Sequence, residues 1–221
     1  MRVLVVAGAL LAAACLTLSA GAALRANSQT YSDSTGEDAA APDITTIVVS
    51  NDDNGLLTFQ INIANRPQLI EPLDIGIFLD TDLNAANGAG PNFLGAELLI
   101  DLIPGDVAVG RWNGSRFDFS GGSPSSLAFS YANGATIKVK ASDLGLTTFN
   151  FYVAADSDRN NPDSHLDFAP DSGHGIYNYQ VKLAPPTVTP PAAAPPKATP
   201  TKQPLCKKGQ KSTKAKPCRK K

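Results

Sequence analysis

Uninterrupted stretches of good helix formers are what this 221-residue chain lacks most. Seventeen prolines and eighteen glycines break it up, and only 18% of its residues are charged, which leaves too little Glu, Lys and Arg to fill exposed helix faces. Sulfur is also scarce. Three cysteines and one methionine exclude a thiolate-rich metal domain and a disulfide-dense scaffold. Two histidines restrict nucleophilic and metal chemistry further. No Gly-x-Ser-x-Gly and no His-Glu-x-x-His occurs.

The formal charge of −1 conceals a separation. Ten of the nineteen bases lie in residues 197–221, which hold no acid, so the body of the chain is near −12 and the tail near +10. Residues 1–22 read as a signal peptide: Arg2, an apolar run through Leu18, then Ala20-Gly21-Ala22 with small residues where a peptidase cuts. The run is shorter than the ~20 residues a bilayer span needs. Cys15 stands in Leu11-Ala-Ala-Ala-Cys15, where Ala12 replaces the usual leucine of a lipoprotein box, so cleavage near Ala23 and secretion is the better expectation. No transmembrane span is then expected in the processed chain. Residues 23–42 are polar and acidic without apolar periodicity and are expected to be a disordered leader. Residues 185–204 carry eight prolines and read as an extended linker. In the basic tail, residues 205–221, Cys206 and Cys218 bracket five lysines and can pair in an oxidising compartment.

Between these ends, residues 43–184 read as one all-β domain. Short runs of Val, Ile, Phe, Leu and Thr, each bounded by Gly, Asn, Asp or Pro, recur every eight to fifteen residues. Strands are expected at 44–50, 56–64, 73–80, 96–103, 106–112, 115–119, 126–131, 135–140, 147–155 and 175–183. About ten strands suit a two-sheet antiparallel sandwich. Leu57, Phe59, Ile61 and Ile63 alternate with Thr58, Gln60 and Asn62, giving one buried and one wet face. Ser142-Asp-Leu-Gly145 allows at most one helical turn. The Asn113-Gly114 pair suits a two-residue turn, which sets Arg111 opposite Arg116 and Gly110 opposite Phe117.

Two strand ends run into similar acidic loops. The first holds Asp80, Asp82 and Asn84; the second holds Asp156, Asp158, Asn160 and Asp163. Oxygen atoms at alternate positions suit calcium, in a structural role, and equally suit Asx-turns that close loops without an ion. His165 and His174 lie in a long polar loop, residues 156–175, with no activated serine or third ligand at recognisable spacing. Glu97, Leu99 and Asp101 share one face of a strand and read as a solvated or partly covered edge, not an acid pair for glycoside hydrolysis. Trp112 at a hairpin tip can stack on a sugar ring while Arg111, Asn113 and Arg116 supply hydrogen bonds, or it can pack against adjacent strands. The tail is a non-specific anion binder for which nucleic acid is the least expected partner.

The order Ile75-Gly-Ile-Phe-Leu-Asp80-Thr-Asp82, Gly95-Ala-Glu97-Leu-Leu-Ile, Arg111-Trp112-Asn-Gly-Ser and Ala169-Pro170-Asp171 resembles secreted bacterial domains of the carbohydrate-binding module family 9 and DOMON-like group. That resemblance implies a jelly-roll-like sandwich, a structural calcium, and ligand binding in place of catalysis. The chain departs from the carbohydrate modules in having one tryptophan where they use a pair of aromatic plates. It departs from the haem-binding branch in having no methionine after residue 1. The expected protein is a secreted, wall-associated, non-enzymatic binder of a glycan or another cell-envelope polymer. Two alternatives stand beside it: an adhesion protein held to anionic polymer by its basic tail, and a hydrolase using loop carboxylates or histidines.

Overall fold

The computed structural model describes residues 27–158, 160–161, 163–171, 176–185, 204–211, 213–215 and 217–219, and it divides the chain into two units, 1–184 and 185–221. The signal-peptide segment, most of the proline-rich linker and His174 lie outside the described residues.

Among the described residues the first unit holds twelve strands: β1 (Asn27–Ser32), β2 (Ile44–Asn51), β3 (Leu56–Ile63), β4 (Asp74–Asp80), β5 (Leu98–Ile103), β6 (Asp106–Trp112), β7 (Phe117–Asp118), β8 (Ala128–Tyr131), β9 (Gly134–Lys140), β10 (Thr148–Asp156), β11 (Leu166–Ala169) and β12 (Tyr177–Gln180). They form two antiparallel sheets, ordered β1-β2-β3-β9-β8 and β11-β10-β4-β5-β6-β7. β12 pairs with the first half of β10 and β11 with the second half, on the edge of β10 away from β4. The fold is an all-β sandwich. One helical turn, α1 (Ala141–Leu144), ends on Gly145, whose φ of 72° suits glycine as a C-cap.

Alternation builds the core. In β3, Leu57, Phe59, Ile61 and Ile63 are at most 2% exposed, and Ile75, Ile77 and Leu79 of β4 and Phe149, Phe151 and Val153 of β10 are fully buried. Phe59 meets Phe149 and Phe151 at ring distances of 6.1 and 6.0 Å, which locks one sheet over the other. A polar tie accompanies them. Asn51, 1% exposed, donates to the carbonyls of Asp52 and Lys182 and accepts from the Tyr179 hydroxyl and the Lys182 amide.

Two segments expected to be irregular are strands. Residues 27–32 of the acidic leader pair with β2 along their whole length, from Asn27 opposite Asn51 to Ser32 opposite Thr46. Only Tyr31 of β1 is buried, so apolar periodicity is absent, and backbone pairing to an available edge holds the strand instead. Leu166–Ala169, inside the expected long loop, likewise adds to β10.

The hairpin register also differs from the expected one by two residues. Trp112 stands opposite Phe117 and Arg111 opposite Asp118. Asn113 Oδ1 accepts from the Ser115 and Arg116 amides, which widens the turn to residues 113–116. This register replaces the like-charge pair Arg111–Arg116 with an opposite-charge one. Gly110 is covered as expected, by Phe119 instead of Phe117: a Cβ there would come within 2.8 Å of the Phe119 ring.

Candidate functional site: the outer face of the second sheet

The two outer faces of the sandwich differ in character. That of the first sheet is polar, with Thr46, Thr58, Gln60, Asn62, Thr136 and Lys138 on neighbouring strands. That of the second sheet is mixed: large rings occupy one part of it, and Asp74, Asp101 and Asp156 stand beside them. The residues opposite in phase to the core positions Ile77, Ile100 and Phe151 are Phe78 on β4, Leu99 on β5 and Tyr152 on β10.

Strand pairing assembles these rings into a row. Phe168 of β11 lies 6.3 Å from Tyr152, and Tyr152 stacks on Phe78 at 4.5 Å with planes 6° apart. Phe78 meets Phe117 at 5.8 Å, and Phe117 meets Trp112 edge to face at 5.3 Å. Phe93, on the 3₁₀ turn Pro91–Phe93, adds to the same cluster 5.6 Å from Phe78. From β11 to β6 the row crosses four strand spacings, about 19 Å. Phe168 is 42% exposed and the other four rings of the row are half-buried, while Phe93, Phe119 and Leu166, 43, 37 and 44% exposed, add apolar surface. Burial of Tyr152 among the rings holds its phenol well above the usual tyrosine value.

Beside the β10 end of the row lies a cavity of about 450 Å³. Tyr152 and Phe168 line both the row and the cavity, with Leu94, Pro170 and Ile176 completing an apolar wall and Asn92 and Asp171 supplying polar groups. Its size and lining are those of a small-ligand site.

Of the four residues expected at the hairpin tip, Trp112 joins the row, and its amide donates to the Glu97 carbonyl at 2.8 Å. Arg111 and Arg116 are exposed. Asn113 spends its side-chain oxygen on the turn. Among the partners of Trp112, the sequence places Phe117 on the neighbouring strand, opposite Gly110, and does not tie Phe78, Tyr152 or Phe168 to it, because its apparent isolation is a property of the linear order. The signal that was there is the adjacency of Ile77 with Phe78 and of Phe151 with Tyr152, two strands apolar on both faces.

The carboxylates of the first acidic loop lie at the rim of this face. Asp80, fully buried, accepts from the Asn84 amide at 3.1 Å and from Asn150 Nδ2 at 3.0 Å. Asp82 accepts from the same Asn84 amide at 3.0 Å and from Asn87 Nδ2. Glu97 accepts from the Thr81 amide and hydroxyl through Oε2, while its Oε1 is buried without a hydrogen-bond partner. Carboxylate oxygens of Asp80, Asp82 and Glu97 all lie within 4.8 Å of one another. Glu97 belongs to this cluster, whereas Asn84 bridges it through its backbone amide and accepts from the Ala86 amide through Oδ1. An all-oxygen donor set with one oxygen left over fits a hard divalent cation.

The second acidic loop is arranged otherwise. Asp156 accepts from the Asp158 amide, Asp158 from the Asn160 amide, and Asn161 from the Asp163 amide: a run of Asx-turns. Among the described residues, none of Asp156, Asp158 and Asp163 belongs to a group of three metal-ligand side chains. His165 is occupied differently again, its Nδ1 2.6 Å from Asp38 Oδ2 on the segment before β2.

In the second unit, Cys206 and Cys218 form a disulfide. The Cys206 amide donates to the Arg219 carbonyl and the Arg219 amide to the Pro204 carbonyl, both at 3.0 Å, so the loop of lysines is closed at its base.

No protein-family model, no curated protein and no solved structure matches the chain.

Proposed function

We propose that the protein is an exported, non-enzymatic binding module that holds a glycan or another cell-envelope ligand on the aromatic face of its second sheet. The observation that carries this reading is the row from Phe168 through Tyr152, Phe78 and Phe117 to Trp112, half-buried to exposed on the outer face of the second sheet. Ring edges and faces offer apolar contact to the C–H faces of sugar rings. Phe168→Ala removes a ring that is 42% exposed and lies outside the core between the sheets, and therefore separates binding from folding. Loss of retention on an insoluble polysaccharide panel, with an unchanged unfolding temperature, is the expected result.

Calcium enters this proposal as a structural ion at Asp80, Asp82 and Glu97, stiffening the loop that leads from β4 to Phe93. Calcium then raises the unfolding temperature of the chain, chelator lowers it, and Glu97→Gln abolishes the difference. A scan that does not respond to calcium rejects the ion and leaves the aromatic face untouched.

A second reading rests on the tail. Ten bases without an acid, five of them lysines in a closed loop, suit attachment to anionic envelope polymer. Exposed charge contacts are screened within ~10 Å at 0.1 M salt, so attachment of this kind is eluted by salt.

A further inference from the structure

The five strands of the first sheet, β1, β2, β3, β9 and β8, hold no Asp or Glu, although the chain has twenty. Their outward positions carry hydroxyls and amides instead. Thr30, Val48, Gln60, Thr136 and Ser130 stand abreast, one on each strand, so the row crosses four strand spacings, about 19 Å. Ser50 with Thr58, and Thr46 with Asn62, flank it. Gly134 and Ala132 place no long side chain beside Asn62, which leaves a shallow groove of about 350 Å³ lined by Thr46, Gln60, Asn62 and Thr136. Among the described residues none of these hydroxyls and amides is hydrogen-bonded within the protein apart from Asn62, whose Nδ2 donates to Thr45 Oγ1 at 2.9 Å. Elsewhere in the body such groups are used internally: Asn113 Oδ1 closes a turn, Ser123 Oγ accepts from the Val109 amide, and Asn178 Nδ2 donates to the Phe149 carbonyl.

We propose that this face is a second binding surface, for a neutral, hydroxyl-rich polymer laid across the five strands. Hydroxyls and amides both donate and accept, as the hydroxyls of a neutral glycan do, so neither partner has to bury an unmatched group. Thr46, Thr58 and Thr136 are β-branched and hold their hydroxyls in few orientations, which lowers the entropy lost on contact. A hydrogen bond exchanged with water gains little by itself, so the surface works by repetition along an extended polymer and not by one tight pocket. Other occupants are chemically mismatched. A protein interface needs an apolar centre, and Val48 is the single apolar member of the row. A polyanion needs clustered bases, and the outward charges of the sheet are Lys138 and Lys140 on β9 alone. A polycation finds no acid on these strands. The surface lies on the other side of the sandwich from the aromatic row and does not depend on it.

Retention of the full chain on cellulose, chitin and an insoluble β-1,3-glucan at about 1 M salt, where the basic tail is screened, tests the surface. The proteins compared are the unaltered chain, the double variant Gln60→Ala/Thr136→Val, and Phe168→Ala. Both positions of the double variant point away from the core, and Val keeps the β-branch, so it is expected to unfold at the unaltered temperature. The expected result is retention of the unaltered chain on at least one polymer, with binding weaker by about five-fold or more in the double variant. The hexasaccharide of the retained polymer, titrated into the unaltered protein, is expected to shift the amide NMR signals of β3 and β9, a readout that needs no variant. Equal retention of the double variant and the unaltered chain overturns the proposal. So does the absence of retention on all three polymers, or a hexasaccharide that shifts signals of the second sheet only. Loss in the double variant with full retention of Phe168→Ala supports this surface and rejects the aromatic face; the reverse pattern does the opposite.

Discussion

Asn51 shows how much a single side chain can carry when it is buried with all its hydrogen-bonding capacity used. It ends β2, yet four of its bonds go to Asp52, Tyr179 and Lys182, so it joins the end of the first sheet to the segment after β12. Asn51→Ala leaves the Lys182 amide and carbonyl and part of the Tyr179 hydroxyl without partners, a loss of about 2–4 kcal/mol by denaturant unfolding. Asn51→Asp tests the same point more finely, since it keeps the acceptors and loses the two donations. Gly134 carries a comparable demand in the backbone: at φ 134° a Cβ would sit 2.1 Å from the Ile61 carbonyl oxygen, so Gly134→Ala is expected to displace β9 from β3 and to destabilise by more than ~2 kcal/mol. Neither role is readable locally. Asn51 stands in a polar hairpin loop, where Asn is ordinary, and its partners are about 130 residues away in the chain.

At the scale of elements, the periodic strands were legible and the ones held by other means were not. β2 to β5, β9 and β10 follow from alternation because each buries one face. β1 and β11 each add to an edge through backbone pairing, with one or two buried side chains apiece, and a hydropathy pattern contains no trace of that. Removing residues 27–32 exposes the edge of β2 and uncovers Tyr179, whose hydroxyl meets the Asn27 carbonyl. The expected consequence is a lower unfolding temperature together with self-association through the freed edge, measured by light scattering. An unchanged monomer would show that β1 is dispensable. The hairpin β6–β7 was legible as a turn and misread by two residues, because the Asn113 side chain can close a wider loop and the charges of Arg111, Arg116 and Asp118 decide between the registers. Only the corrected register seats Trp112 against Phe117.

At the scale of the molecule, the sequence showed an acidic body and a basic tail, and the structure adds that the aromatic rings outside the core gather on the outer face of the second sheet, beside Asp74, Asp101 and Asp156. Composition counted the rings without placing them. Trp112 looked solitary because Phe78, Phe117, Tyr152 and Phe168 come from four other strands, brought beside it by the order β11-β10-β4-β5-β6-β7. The half of the calcium expectation that rested on spacing behaves the same way: two loops alike in sequence differ in space, since Glu97 comes from β5's approach to the first and nothing equivalent reaches the second among the described residues. Two modes of attachment follow from this layout, and salt separates them. The most direct test is retention of the full chain, Trp112→Ala and Phe168→Ala on purified cell wall and insoluble polysaccharides, at low salt and at about 1 M, where the Debye length falls to ~3 Å. The aromatic-face account predicts retention of the unaltered chain at high salt and its loss in both variants. Retention that disappears with salt and is the same in all three proteins would contradict that account and assign attachment to the lysine-rich tail.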